Sequence, residues 1–152
     1  MIGFGMSEEN VARFLAHPLS IVCSDGSALA TEGPLATGTP HPRNFGAFPR
    51  VLGHYVREKQ VLPLERAIEK MTAAPAQRVG LADRGRIAPG MAADLVAFDP
   101  DRIADRATYQ EPHRYAVGIH HVMVNGRLVL RDAEDTGERP GRALHGSMID
   151  HR

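Results

Sequence analysis

The sequence predicts an α/β chain in two unequal parts, and three observations carry that expectation. A short apolar run, Leu19 to Cys23, stands between a helical stripe and a long Gly/Pro-rich loop. Beyond the loop, apolar residues recur at helical spacing as far as Val79. From Leu95 onward the period becomes that of short strands, two of them joined by Asn125-Gly126.

Ser7 followed by Glu8 and Glu9 reads as a helix start. The serine caps free backbone N–H groups, and the acidic pair suits the positive end of the helix dipole. Val11, Phe14 and Leu15 form its apolar stripe to about His17, and Pro18 stops it. The run from Leu19 to Cys23 is apolar on both sides, the pattern of a buried parallel strand. Gly26 to Pro42 is a loop too long to be a mere connection. Phe48 to about Glu58 resumes helical spacing through Val51, Leu52, Tyr55 and Val56. Pro63 sits where a helix start accepts proline, and Leu64, Ala67, Ile68 and Met71 continue the stripe. A second short helical piece spans Pro75 to Val79 and ends near Gly80. The character changes near Leu81–Gly85. Leu95 to Phe98 is a strand core bounded by Gly90 and Pro100. His121–Val124 and Arg127–Leu130 form a hairpin, because Asn-Gly supplies both left-handed residues of a type I′ turn. Asp132 to Arg152 holds little that is apolar and reads as a poorly ordered tail. The resulting division is 1–81, 82–131 and 132–152.

The composition excludes several classes of function. Lys plus Arg and Asp plus Glu both number 18, so the net charge is zero and no basic stripe points to nucleic acid. The apolar runs are far below the roughly 18 residues that span a bilayer, which argues against membrane insertion. Met1 to Met6 lacks the basic start and apolar core of a signal peptide. The lone Cys23 rules out an internal disulfide and suits a reducing, cytoplasmic location.

Chemistry concentrates after the predicted strand. Ser24-Asp25-Gly26 is by itself a common turn sequence. Its place at the C-terminal end of a buried strand, opening onto a long loop, is where α/β and barrel enzymes keep their sites. In the same loop, His41-Pro42-Arg43 brings a guanidinium whose planar fork fits a carboxylate. His41 has no second ligand at metal spacing and reads as a residue contacting substrate or solvent. Cys23 reads as a small buried hydrophobe. His120 and His121 face opposite sides of a strand and cannot share a metal. Arg50 and His54 read as salt-bridge or capping residues.

Ser24-Asp25-Gly26, His41-Pro42-Arg43, Phe48-Pro49-Arg50-Val51-Leu52-Gly53 and the run Gly85 to Asp99, in this order, resemble the C-terminal part of the D-aminoacylases (N-acyl-D-amino-acid deacylases) of the amidohydrolase superfamily. The resemblance covers Ile2 to about Leu144. It implies the last strand and helices of a TIM barrel over 1–81 and the C-terminal strands of a small β-sandwich over 82–131. It implies Asp25 as the general base and acid for a metal-bound water, with a possible second-metal role. It implies Arg43 as the grip on the substrate carboxylate, beside His41, and Asp94 as structural. The loop insert Ser27 to Thr39 is similar to one branch of the family. Zinc is the implied cofactor of the whole enzyme, and an N-acyl-D-amino acid its substrate; dihydroorotase-like and dipeptidase-like hydrolysis are neighbouring activities.

Members of this family bind metal through a His-x-His pair and further His and Cys ligands on earlier strands. The chain has no His-x-His, and its cysteine lies on the wrong strand. A whole barrel takes about 250 residues. The expectation is therefore a truncated gene product, a sequencing or annotation fragment, or one piece of a split enzyme, with Met1-Ile2-Gly3 an internal start. Alone it would bind no zinc and be inactive, and it would associate with itself or with an N-terminal barrel half. The competing expectation is a non-catalytic or relic α+β interaction domain derived from an amidohydrolase.

Overall fold

A computed structural model describes residues 6–146; the expected internal start at Met1-Ile2-Gly3 and the last six tail residues lie outside them. Helix α1, Glu8–Ala16, starts as expected: the Ser7 hydroxyl accepts the Asn10 N–H at 3.2 Å. Val11 and Leu15 turn its stripe onto the core. The helix ends at the His17-Pro18 step.

The predicted strand at Leu19–Cys23 does not form. Leu19 lies in a turn closed by the Ser20 N–H on the His17 carbonyl at 3.2 Å, the rest of the segment joins no sheet, and the Val22 N–H donates instead to the Lys70 carbonyl at 3.0 Å. Leu19 is 86% exposed, and Cys23, expected inside, is exposed as well. The reason is physical. An apolar run becomes a buried strand only between paired neighbours, and no strand among the described residues pairs with it. Lys70, only 3% exposed, holds the segment from below. Its ammonium donates to the His17 carbonyl at 2.5 Å and to the Ser20 carbonyl and hydroxyl at 2.9 and 2.8 Å.

Helix α2, Arg43–Arg50, begins five residues earlier than the apolar spacing suggested and continues as a π-helical stretch over Val51–Glu58. Pro49 lies inside α2 and has no N–H to give the preceding turn. The ladder then widens to i→i+5 bonds, such as Lys59 N–H to the His54 carbonyl at 2.8 Å. Helices α3, Leu64–Met71, and α4, Ala73–Arg78, follow with Pro63 and Gly80 at the expected ends.

Four antiparallel strands form one sheet in sequence order: β1 Leu95–Phe98, β2 Ile119–Val124, β3 Arg127–Arg131 and β4 Glu134–Asp135. Asn125 and Gly126 both take positive φ, 48° and 79°, as the hairpin required. Strand β4 replaces part of the expected tail. A second tight turn makes it, with Asp132 at φ 52° and Ala133 at φ 68°. Alanine seldom accepts that region, so the turn left no signature in the sequence.

The core joins both portions of the chain. Val51, Leu52 and Tyr55 of the π-helical stretch meet Leu62, Ala67 and Ile103, the last only 2% exposed. Phe98 and Ile119 of the sheet pack against the same cluster. Ile103 sits on a segment that runs along α2, and two glycines let it approach. A Cβ on Gly53 would fall 2.5 Å from the Ile103 carbonyl oxygen, and one on Gly46 would fall 2.8 Å from Asp105 Cβ. Arg57 closes the contact by donating to the carbonyls of Ile103 and Pro100 at 2.7 and 3.0 Å.

Candidate active site

The extended segment delivers Ser24-Asp25-Gly26 as a tight turn. Asp25 sits in the left-handed region at φ 48°, which Asp tolerates better than most residues and which is common where backbone strain serves a site. The Ser24 hydroxyl accepts the Gly26 N–H at 3.2 Å.

Arg43 opens helix α2 and comes to the same place. Its Nη2 lies 2.7 Å from Asp25 Oδ2, so the two residues singled out in the sequence form an ion pair. Both are accessible, Asp25 79% and Arg43 46% exposed in their side chains. A pair this exposed contributes at most about 1 kcal/mol. Arg43 can therefore exchange one carboxylate for another at little cost.

Asn44, which the sequence did not single out, ties the two turns together. Its Oδ1 accepts the Ser27 N–H at 2.6 Å, and its Nδ2 donates to the His41 carbonyl at 2.8 Å. One side chain thus sets the separation of Asp25 from Arg43. Gly26 lets it come close, since a Cβ there would stand 3.2 Å from Asn44 Cα.

His41 has its Nδ1 on the Arg43 backbone N–H at 3.1 Å and its Nε2 on the Tyr109 hydroxyl at 3.0 Å. Burial, and then the neighbouring Arg43 charge, hold its pKa below the ordinary 6.5. These side chains line one end of a cavity of about 650 Å³, with Arg50 and Asp105 at the other. Arg50 pairs with Asp105 at 3.3 Å and with Glu8 at 3.6 Å, while the Tyr55 hydroxyl donates to Glu8 at 2.8 Å. His54 pairs with Glu58 at 2.9 Å. His120 and His121 lie in strand β2, remote in sequence from this turn, and His121 Nδ1 accepts the Asp132 N–H at 3.2 Å.

Asp94 lies away from this group. It accepts the Asn125 N–H at 2.7 Å and pairs with the buried Arg84, which in turn reaches Asn125 Oδ1 at 2.7 Å. No group of three or more His, Cys, Asp or Glu suited to a metal gathers among the described residues. Asp25 stands without partner ligands there, and one of its oxygens is already on Arg43.

A carboxylate and a guanidinium thus meet beside the start of helix α2, and Arg43, with His41 and Tyr109, lines the cavity there. The chain belongs to the amidohydrolase family, whose sequence pattern matches residues 24–130. It is 49% identical over 143 residues to the N-acyl-D-glutamate deacylase of Alcaligenes xylosoxydans xylosoxydans, a match covering 94% of this chain and 28% of that protein. Its fold superposes with a TM-score of 0.84 on the crystal structure of a D-aminoacylase described as defining a novel subset of amidohydrolases. That match is 46% identical and covers 92% of this chain and 28% of the other. A second structure, N-acyl-D-glutamate deacylase from Bordetella bronchiseptica with zinc and a phosphonate mimic of the tetrahedral intermediate, gives 0.74. It is 49% identical over 82% of this chain and 25% of the other. The chain thus spans little more than a quarter of the length of these relatives.

Proposed function

We propose that this chain supplies the proton-transfer carboxylate and the substrate-carboxylate anchor of a zinc-dependent N-acyl-D-amino-acid deacylase. The observation that carries the reading is the juxtaposition of Asp25 and Arg43, 2.7 Å apart on two turns stapled by Asn44. In this reading residues 1–81 contribute helices of a TIM barrel and a segment that would become its last strand once paired with neighbours, and 82–131, extended by strand β4, the C-terminal strands of a β-sandwich. The location is cytoplasmic.

The chemistry follows from the side chains. An incoming N-acyl-D-amino acid draws the Arg43 guanidinium onto its own carboxylate, by the paired hydrogen bonds that a planar fork favours. His41 lies beside it at the rim of the cavity. Asp25, released from Arg43, accepts a proton from the attacking water as the water oxygen bonds to the amide carbonyl carbon. When the C–N bond breaks, that proton passes to the leaving amino nitrogen. The products are a carboxylic acid and a D-amino acid. The described residues do not by themselves fit a zinc site, so the ion would need ligands beyond them, and the chain alone is expected to be inactive.

The test is deacylase activity on N-acetyl-D-amino acids, with metal content, for the chain alone and for the chain joined to the N-terminal portion of a homologous barrel. Activity only in the joined protein, reduced at least about a thousandfold by Asp25→Asn, supports the reading. A folded, zinc-loaded joined protein without activity overturns it and favours a non-catalytic domain. One equivalent of zinc tightly bound to the chain alone would overturn the assignment of the metal ligands to residues beyond it.

A further inference from the structure

A strap of chain runs antiparallel to helix α2 and its π-helical continuation, and its contacts can be followed step by step. The Ile103 carbonyl stands over Gly53, Asp105 over Gly46 and Arg50, and Tyr109 over His41. Tyr109 is the end of this progression, at the start of α2. That start has a local weakness. Pro42, in the capping position, offers no side-chain hydrogen bond, and the first N–H groups of a helix have no partner within it. The N–H of Arg43 is one of them, and the His41 ring accepts it.

We propose that Tyr109 is a positioning residue of this site: its hydroxyl receives the Nε2–H of His41, and the imidazole so held receives at Nδ1 the backbone N–H of Arg43. The tautomer follows from the partners. Nδ1 faces an N–H donor and so carries no proton; a neutral ring then bears its proton on Nε2, toward the Tyr109 oxygen. The rings meet edge to face with centroids 5.1 Å apart, which fixes the orientation as well as the distance. The strap, anchored in the core by Ile103, thus sets where the Arg43 guanidinium can reach. The inference rests on the proposed role of Arg43 as the substrate-carboxylate anchor.

The experiment is nitrogen-15 NMR of the His41 ring in the full chain at neutral pH, with amide exchange at Arg43, before and after Tyr109→Phe. The wild-type ring is expected as the pure Nε2–H form with a protected Arg43 amide. Loss of the hydroxyl is expected to mix in the Nδ1–H form and to speed Arg43 exchange about tenfold, the worth of one hydrogen bond of ordinary strength. Amides of the β2–β3 hairpin serve as the control for the fold. His41→Asn supplies a short side chain that can accept the N–H two residues on without help from Tyr109, so in that background Tyr109→Phe is expected to leave Arg43 exchange unchanged. A wild-type ring protonated on Nδ1, or an unchanged ring and unchanged exchange in Tyr109→Phe, overturns the proposal. None of these readouts uses activity, so the deacylase reading stands or falls separately by the Asp25→Asn experiment.

Discussion

Asn44 carries more of the site's geometry than either residue it serves. Asp25 and Arg43 meet across an exposed ion pair that is weak by itself, whereas Asn44 bonds both turns through short contacts to their backbones. Asn44→Ala is expected to lower stability by about 1 kcal/mol, measured by urea unfolding. In the joined enzyme it is expected to cost about a hundredfold in kcat/KM, because a displacement of about 1 Å between reacting groups has that effect. Unchanged kinetics would mean that the turns hold their spacing without it. Asp25 and Arg43 were legible in the sequence, since a carboxylate after an apolar run and an arginine in a polar loop each announce a chemistry. Asn44 was not, because an asparagine in the first turn of a helix looks like ordinary solvation. Nor was Tyr109, whose contact with His41 spans 68 residues and exists only once the strap lies along the helix.

Elements were legible wherever local chemistry decided them. Ser7, Pro63 and Asn125-Gly126 each start or turn an element by a rule that needs no partner. The rule failed for Leu19–Cys23, because a buried strand is defined by its neighbours rather than by its own residues. The sheet shows a third case, an element locked by side chains. Strand β1 begins just after Asp94, and the Asp94 carboxylate holds the β2–β3 turn through the Asn125 N–H while Arg84 bridges both. Burial acts to raise the Asp94 pKa, but the Asn125 N–H and the Arg84 hydrogen bond and charge outweigh it and hold the group below its ordinary 3.8. A carboxyl with a depressed native pKa adds stability above its unfolded value and loses it as pH falls through the native one. Acid unfolding is therefore expected to begin as pH drops below about 5, and Asp94→Asn to remove this group's part of the dependence while lowering stability at neutral pH. An acid limb of the same steepness in Asp94→Asn would assign the sensitivity elsewhere.

At the scale of the whole molecule, the chain keeps one shared core yet leaves large apolar side chains in water. Phe14, Leu19, Ile21, Ile87 and Val96 are all exposed, and two of them, Leu19 and Ile21, lie between α1 and the Asp25 turn. Leu19 and Ile21 stand on a segment whose backbone is in no sheet, and both side chains offer apolar surface to water. Such a surface drives association by burying apolar area. Sedimentation is expected to show association that rises with protein concentration. Leu19→Lys with Ile21→Lys should return the chain to a monomer, by placing charge on the apolar surface that associates. Both positions are exposed, so the double substitution is expected to change stability by no more than about 1 kcal/mol, and a loss of association then reports on the surface rather than on the fold. A wild-type chain that stays monomeric at every concentration would mean that this segment is shielded in solution. The exposure of Leu19 and Ile21 would then not hold in solution, nor the placement of Asp25 that the same segment sets.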